Sequence, residues 1–252
     1  MKKRHLILSM FLAGLAGLPV MIAQAQMSGE SPVSVTPILH GSVVLGWAGS
    51  TIYADPYGGA EGYAGQSEPD IVLISHTHDD HLDLNTLPAV VSEDTVLIVP
   101  QVVMDALPDA LAGRARVLAN GAQLQEQGFT ITGVPMYNLE NQGREVRHRP
   151  GVGNGYVIER DGYRVYIAGD TADTPDMRAL QDINMAFVPM NLPYTMSIDR
   201  AADAVLDFAP EKIIPYHYRG ENGLADVEAF RAMVEAGSDD IEVVLLDWYP
   251  DR

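Results

Sequence analysis

A group of histidine and aspartate side chains follows an apolar run near residue 75, and these residue types can bind metal ions. The segment reads Ile71-Val72-Leu73-Ile74-Ser75-His76-Thr77-His78-Asp79-Asp80-His81. In an extended turn, His76 and His78 point the same way, so their imidazoles can meet one metal ion. Asp80 and His81 follow where the chain can curl to offer a carboxylate and another imidazole to a second ion. These ligands suit Zn, Fe and Mn, so we expect two divalent ions, with Zn favoured over Mn or Fe.

The composition limits both the chemistry and the partners. The chain has 252 residues and no Cys, which excludes disulfides, thiolate metal ligands, a Cys nucleophile and a lipoprotein anchor. It carries 34 acidic against 16 basic side chains, a net charge of −18. This charge argues against a nucleic-acid partner, because phosphate contacts need clustered Lys and Arg. We expect a small-molecule substrate, and the sequence leaves the oligomeric state open.

The first 25 residues have the features of a secretory signal peptide. A basic start at residues 2–4 precedes an apolar run to about Ala23, and Ala23-Gln24-Ala25 gives the small-x-small pattern expected before cleavage. The alternative is an uncleaved anchor, although the run is short for a membrane span and Pro19 interrupts it. We expect an exported protein, periplasmic in a Gram-negative source, with no stable membrane anchor after cleavage.

The rest of the chain predicts alternating strands and helices in one domain, 35–252, after a flexible lead-in at 26–34. Short runs rich in Val, Ile and Tyr predict strands at 42–47, 51–54, 71–75, 95–99, 116–118, 129–135, 155–159, 164–168, 185–189, 212–216 and 241–246. Helical spacing of apolar residues predicts helices at 102–112, 175–180, 198–208 and 227–236, with Ser197 and Asp226 as N-caps of the last two. The order favours an α+β (α/β) fold in which packed sheets are covered by helices.

The segment His76-Thr77-His78-Asp79-Asp80-His81 matches the H-x-H-x-D-H signature, and here the chain resembles the metallo-β-lactamase superfamily. The resemblance implies a four-layer αββα sandwich with a metal site where loops from both halves meet. Three further residues match family positions in order. Asp55 matches an early aspartate that is usually structural, Asp170 matches the carboxylate that typically bridges two metals, and His217 matches the last histidine ligand.

A finer resemblance points to one branch of the superfamily. The runs His40-Gly41-Ser42-Val43-Val44, Asn191-Leu192-Pro193-Tyr194-Thr195-Met196 and Pro210-Glu211-Lys212-Ile213-Ile214-Pro215-Tyr216-His217-Tyr218 resemble the branch with ascorbate-6-phosphate lactonases and N-acylphosphatidylethanolamine-type phospholipases D. In the antibiotic-degrading branch, a Cys or Ser commonly replaces the aspartate matched here by Asp170. A β-lactamase therefore stays an alternative of lower weight.

One expected ligand is out of place. The family usually supplies a third histidine to the first metal where this chain has Asn138. An amide oxygen can ligate a hard metal, but it binds Zn less well than imidazole. His148, ten residues on, could replace it as a ligand, contact substrate or lie on the surface. His40 is unassigned: it could orient a ligand or substrate, or cap a strand.

The resemblance implies a division of the ligands between two ions. His76 and His78 would hold the first, assisted by His148 or Asn138. Asp80, His81 and His217 would hold the second, and Asp170 would bridge. Such a pair can lower the pKa of a trapped water and give a hydroxide that attacks a carbonyl or phosphorus. Asp80 is the candidate to orient this hydroxide and pass a proton to the leaving group.

The expected activity is hydrolysis of a small lactone, ester or phosphodiester. Asn138, Tyr194 and Arg219 are candidate substrate contacts, and Arg219 could pair with a phosphate or carboxylate. Tyr137 and Tyr218 also flank the ligand strands. The alternative from another class is a non-catalytic periplasmic metal-binding protein. A further alternative is redox chemistry at a di-iron site.

Overall fold

The computed structural model describes residues 31–140 and 145–250, and every element below belongs to one unit, Pro32–Arg252. The predicted signal peptide at 1–25 and most of the lead-in at 26–34 lie outside the described residues. Within the described ranges, no helix combines the length and apolar character that crossing a bilayer requires.

A first sheet is built by the early part of the chain. Its strands are β1 (Val33–Pro37), β2 (Val43–Trp47), β3 (Ser50–Ala54), β4 (Ile71–Leu73), β5 (Val96–Val99) and β6 (Ala115–Val117). They lie in chain order across the sheet. The first three pair antiparallel, and β3 to β6 pair parallel.

The later part of the chain builds a second sheet and a short ribbon. Its strands are β7 (Gln123–Glu126), β8 (Phe129–Met136), β9 (Gly153–Arg160), β10 (Tyr163–Ile167), β11 (Met185–Pro189), β12 (Lys212–Tyr216), β13 (Arg219–Gly220), β14 (Gly223–Leu224) and β15 (Glu242–Val243). The sheet order is β15-β12-β11-β10-β9-β8-β7, while β13 and β14 form the ribbon. Strands β7 to β10 pair antiparallel, and β10, β11, β12 and β15 pair parallel.

Helices cover the sheets. They are α1 (Leu87–Val90), α2 (Gln101–Met104), α3 (Asp109–Ala112), α4 (Pro175–Arg178), α5 (Ile198–Phe208) and α6 (Val227–Gly237), and Ala60–Tyr63 forms one 3-10 turn. Helix α5 contacts the second sheet where Phe208 packs edge-on against Tyr166 of β10, with ring centroids 6.2 Å apart. Helix α5 also contacts α6, so these two form a layer on the second sheet.

Alternating side chains along the strands separate two cores. In β4, Ile71 and Leu73 face the core shared with the second sheet, whereas Val72 packs with Leu87, Val103 and other residues of the α1–α3 region. Successive strand residues point to opposite faces, so each face of the first sheet is buried against a different layer. The layers are therefore helix, sheet, sheet and helix, which confirms the predicted αββα sandwich.

The structure differs from the predicted elements in a few places. Strand β1 begins at Val33, inside the predicted lead-in, because the Val33 side chain is buried in the core. The single helix predicted at 102–112 is two short helices, since Pro108 begins the second one as its N-cap. Strand β7 was not predicted, because its sequence Gln-Leu-Gln-Glu is polar and lies at the sheet edge.

The two predicted N-caps differ in their side-chain contacts. Asp226 precedes α6, and its Oδ1 accepts a hydrogen bond from the backbone N–H of Ala229 at 2.9 Å. Ser197 occupies the same position before α5, but its side chain makes no capping hydrogen bond. The prediction that Ser197 is the N-cap residue of α5 is therefore confirmed, whereas the predicted hydrogen bond to its side chain is absent.

We expect Asp226→Ala to lower the free energy of unfolding by about 1 kcal/mol, because one backbone N–H of α6 loses its acceptor. Ser197→Ala is the matched control and should change stability by less than half as much. Urea denaturation of both variants measures the difference. Equal losses would contradict this assignment of the caps.

Candidate metal centre

The predicted ligands lie where several strands end. His76, His78, Asp80 and His81 follow β4, Asp170 follows β10, and His217 follows β12 directly. His148 lies in the long connection between β8 and β9, five residues before β9 begins. Strand ends from both sheets therefore deliver these side chains to one edge of the sandwich.

A first cluster joins three imidazoles and one carboxylate. His76 Nε2 lies 3.0 Å from His78 Nδ1, and His148 Nε2 lies 3.2 Å from the same His78 nitrogen. His148 Nε2 is also 3.6 Å from Asp170 Oδ2. One atom from each of these four residues lies within 4.8 Å of the others. The connection from β8 to β9 therefore brings His148 to the position of the missing third imidazole.

A second cluster adjoins the first and shares Asp170 with it. His217 Nε2 and His81 Nε2 are 3.2 Å apart, and they lie 3.3 and 3.4 Å from Asp170 Oδ1. Asp80 Oδ2 is 3.4 Å from His217 Nε2 and 3.9 Å from His81 Nε2. The two oxygens of Asp170 thus face different clusters.

Asp55 fixes the orientation of His81. Its Oδ2 lies 2.7 Å from His81 Nδ1 and accepts a hydrogen bond from the Ser75 hydroxyl at 2.6 Å, while its Oδ1 accepts one from the backbone N–H of Ser75 at 2.7 Å. All three residues are buried. With Nδ1 held by this carboxylate, Nε2 of His81 is directed at the cluster, which is the usual arrangement behind a metal-binding histidine.

Asn138 is not among the residues that line the pocket, and its role as a substrate contact stays a prediction. Its Oδ1 accepts from the backbone N–H groups of Arg147 and His148, each at 3.0 Å, and lies 3.2 Å from His148 Nδ1. Its Nδ2 donates to the carbonyl oxygen of Tyr194 at 3.0 Å. Both ends of the buried amide are used within the protein, so Asn138 positions His148.

Burial keeps two of the first-cluster imidazoles neutral. It lowers the pKa of His148 to about 4 and, with the nearby His81, lowers the pKa of His76 well below its ordinary value. A histidine must be neutral to offer a nitrogen lone pair to a metal. These two side chains are therefore ready to bind a cation at neutral pH.

The acidic residues of the second cluster are ionised. Burial alone would raise the pKa of Asp80, but His217 and His81 lower it to about 2. For Asp170, burial is likewise opposed by His217 and His81, which hold the pKa of that carboxyl well below its usual range. Burial would lower the pKa of His81, yet Asp170 and Asp55 raise it well above its ordinary value.

The cluster fits a pair of divalent cations. Asp170 Oδ1 is buried and has no hydrogen-bond partner among the described residues. A buried carboxylate oxygen without a partner is costly, and a cation would satisfy it. The donor set of imidazoles and carboxylates is the one that Zn, Fe and Mn accept. The metal roles of the seven predicted ligands stay predictions, and the structure brings all seven side chains together.

The clusters open into a pocket of about 530 Å³. Tyr194 and Arg219, two of the predicted substrate contacts, line it, and so do five of the predicted ligands, His78, Asp80, His148, Asp170 and His217. The other lining residues had no assigned role: His40, Asp79, Arg147, Asn191 and Gly220. Asn191 is close in sequence to Tyr194, and Arg147 is next to His148. This proximity to predicted site residues was the only indication in the sequence that they line the pocket. Tyr137 and Tyr218 do not line this pocket; their hydroxyls bond to Asp176 and to the carbonyl oxygen of Leu246.

Comparison with known proteins identifies relatives along most of the chain. Residues 34–217 match the family model described as a beta-lactamase superfamily domain. A UPF0173 metal-dependent hydrolase of Thermococcus onnurineus is 30% identical over 186 residues, 71% of this chain and 79% of the relative. Another from Methanopyrus kandleri is 28% identical over 224 residues, 84% of this chain and 96% of the relative.

Solved structures share the fold. A candidate metal-dependent hydrolase from Parabacteroides distasonis is 36% identical with a TM-score of 0.74, and the match covers 84% of this chain and 92% of that one. Igni18, a metallo hydrolase from Ignicoccus hospitalis, is 23% identical with a TM-score of 0.71, covering 85% and 95%. Given the family match over residues 34–217 and these relatives, the chain is a metal-dependent hydrolase of the metallo-β-lactamase superfamily.

Proposed function

We propose that the protein uses two divalent metal ions, with Zn favoured over Mn or Fe, to hydrolyse a small lactone, ester or phosphodiester. The division of the Asp170 carboxylate carries this proposal. Its Oδ2 lies 3.6 Å from His148 in the first cluster, and its Oδ1 lies 3.3 Å from His217 in the second. A carboxylate placed in this way suits a bridge between two ions, whereas a protein that only stores metal needs no shared ligand.

His76, His78 and His148 would hold one ion, Asp80, His81 and His217 the other, and Asp170 both. When bound, such ions supply Lewis-acid polarisation of the substrate and lower the pKa of a water between them toward neutrality. Asp55 and Asn138 hold His81 and His148 in place during the reaction. The remaining steps depend on the residues that face the pocket.

Asp80 is suited to move the proton. Its side chain is 37% exposed and lines the pocket, so one face remains open toward the substrate. Its low pKa keeps it ionised at neutral pH. The carboxylate can therefore take a proton from the attacking water and pass it to the leaving oxygen.

Arg219 and Tyr194 both line the pocket and are suited to bind the substrate. Arg219 lies two residues after His217, and its guanidinium is 4.3 Å from the ring centroid of Tyr249. No carboxylate in the described part of the chain forms an ion pair with Arg219. Tyr194 lies beneath the guanidinium of Arg147, at 5.0 Å. We propose that Arg219 pairs with a carboxylate or phosphate of the substrate.

We also propose that the protein is exported, on the basis of residues 1–25 alone. An exported enzyme of this family raises the question of β-lactam hydrolysis. Asp170 keeps the carboxylate that is commonly replaced in the antibiotic-degrading branch, so esters and phosphodiesters are the preferred candidates.

The bridging role can be tested by metal analysis. We expect the purified protein loaded with Zn to hold two ions per chain, and Asp170→Ala to hold at most one, because both clusters lose an oxygen. Inductively coupled plasma mass spectrometry measures the content, and Asp105→Ala, a change at an exposed side chain on α2's C-cap, is the control. Two ions retained by Asp170→Ala would contradict the shared ligand, and hydrolysis that survives full chelation would contradict the metal mechanism.

The proposed contact between Arg219 and the substrate can be tested with two esters, one anionic and one neutral. We expect Arg219→Gln to raise KM about tenfold for 4-nitrophenyl hydrogen succinate, since a charged hydrogen bond is worth about 1.5 kcal/mol. KM for the neutral 4-nitrophenyl butyrate should stay the same. Arg231→Gln, on α6, is the control. Equal effects on both esters would show that Arg219 does not recognise the anion.

A further inference from the structure

His40 faces the same pocket, but none of the roles above uses it. Its imidazole is half-buried and lines the pocket together with Asp80 and His217. A ring nitrogen of His40, a carboxylate oxygen of Asp80 and a ring nitrogen of His217 all lie within 4.8 Å of one another. The histidine is therefore beside the second cluster.

The backbone places His40 there at a cost. Its φ is 51°, in the left-handed region that only a few per cent of non-glycine residues adopt. Its carbonyl oxygen accepts a hydrogen bond from the backbone N–H of His217 at 3.1 Å, and His217 itself has a φ of 44°. The next residue is Gly41, where an added Cβ would lie 2.9 Å from His81 Cε1. Such local strain is often found at functional sites.

Tyr249 contacts one ring nitrogen of His40. The Tyr249 hydroxyl lies 3.2 Å from His40 Nδ1. If this hydroxyl donates its proton to Nδ1, the proton of a neutral imidazole resides on the other nitrogen, Nε2. Nε2 is then the nitrogen that can donate a hydrogen bond to a substrate.

A hydrogen bond between polar atoms is about 2.8 Å long, so two groups less than about 5 Å apart can contact the same oxygen atom. Asp80 and His40 satisfy this condition. The oxygen that receives a proton from Asp80 is the leaving-group oxygen, and this same oxygen lies within reach of His40. A neutral N–H donor placed there stabilises negative charge as the bond to that oxygen breaks.

We propose that His40 is a catalytic residue whose Nε2–H donates a hydrogen bond to the leaving-group oxygen, and that Tyr249 is the positioning residue that fixes its tautomer. This inference rests on the proposed hydrolytic function. In the step, the water oxygen bonds to the carbonyl carbon and the carbon–oxygen bond to the leaving group breaks. The water proton passes through Asp80 to the leaving oxygen, and His40 keeps its own proton throughout.

The experiment compares two esters of one acid in the Zn-loaded protein. Ethyl butyrate releases a poor leaving group that needs stabilisation, whereas 4-nitrophenyl butyrate releases a stable phenolate. We expect His40→Phe to lower kcat about 100-fold for the ethyl ester and less than threefold for the nitrophenyl ester, as expected for loss of one such donor. His40→Gln keeps an N–H donor and should recover part of the loss.

Tyr249→Phe tests the positioning role. It should lower kcat for the ethyl ester about tenfold in the wild-type background, an effect worth about 1.4 kcal/mol, and should have no effect in the His40→Phe background. Tyr57→Phe is the matched control, because the Tyr57 ring also packs against His40, with centroids 5.6 Å apart. An equal loss for both esters, or a loss of bound Zn in His40→Phe, would overturn the proposal.

The tautomer gives a readout that does not depend on activity. In nitrogen-15 NMR spectra of the Zn-loaded protein, His40 should show a protonated Nε2 and an unprotonated Nδ1, and Tyr249→Phe should disturb this state. A proton on Nδ1 in the wild-type protein would overturn the proposal. If the wild-type protein hydrolysed neither ester, the proposed function would fail, whereas the NMR result would still decide the state of His40.

Discussion

The carboxylate of Asp170 is the group on which the rest of the site depends. It is buried, and its two oxygens face two different clusters of imidazoles. An ionised carboxylate without a partner is strongly disfavoured in a buried space. The arrangement therefore supports the proposal that cations bind between the two clusters.

Packing around Asp170 holds it in this position. Gly169, with a φ of 66°, turns the chain after β10, and an added Cβ would meet Met136 Sδ at 2.7 Å. The backbone N–H of Gly169 donates to the hydroxyl of Tyr216, which is buried in β12, at 2.8 Å. Gly155 in β9 lets the carbonyl oxygen of Ala168 approach closely. Neighbouring strands of the second sheet thus hold Asp170 in its position between the two clusters.

The strands, and the ligands that directly follow them, could be predicted from the sequence, because apolar runs and a dense histidine motif are local signals. His148 could be named only as one candidate, since its position depends on how the long connection from β8 to β9 folds back. The contacts of Asn138 could not be predicted for the same reason: a sequence does not show that an amide oxygen accepts hydrogen bonds from two backbone N–H groups. The role of His40 depends on a hydroxyl 209 residues away along the chain, on Tyr249.

The polar surroundings of the site divide into two kinds. Asp55, Asn138 and Tyr249 each contact Nδ1 of an imidazole, that of His81, His148 and His40 respectively. Arg219 and Arg147 lie on aromatic rings at the pocket, where they place positive charge in a strongly acidic protein. Orientation of the ligands and attraction of the substrate are therefore separate tasks of separate residues.

Anomalous X-ray diffraction at the Zn absorption edge tests most directly whether Asp170 bridges two ions. Crystals of the Zn-loaded protein should show two anomalous peaks about 3.5–4 Å apart. One peak should lie among His76, His78 and His148, the other among Asp80, His81 and His217, with one Asp170 oxygen bound to each. A single peak, or two peaks with Asp170 bound to only one of them, would contradict the account.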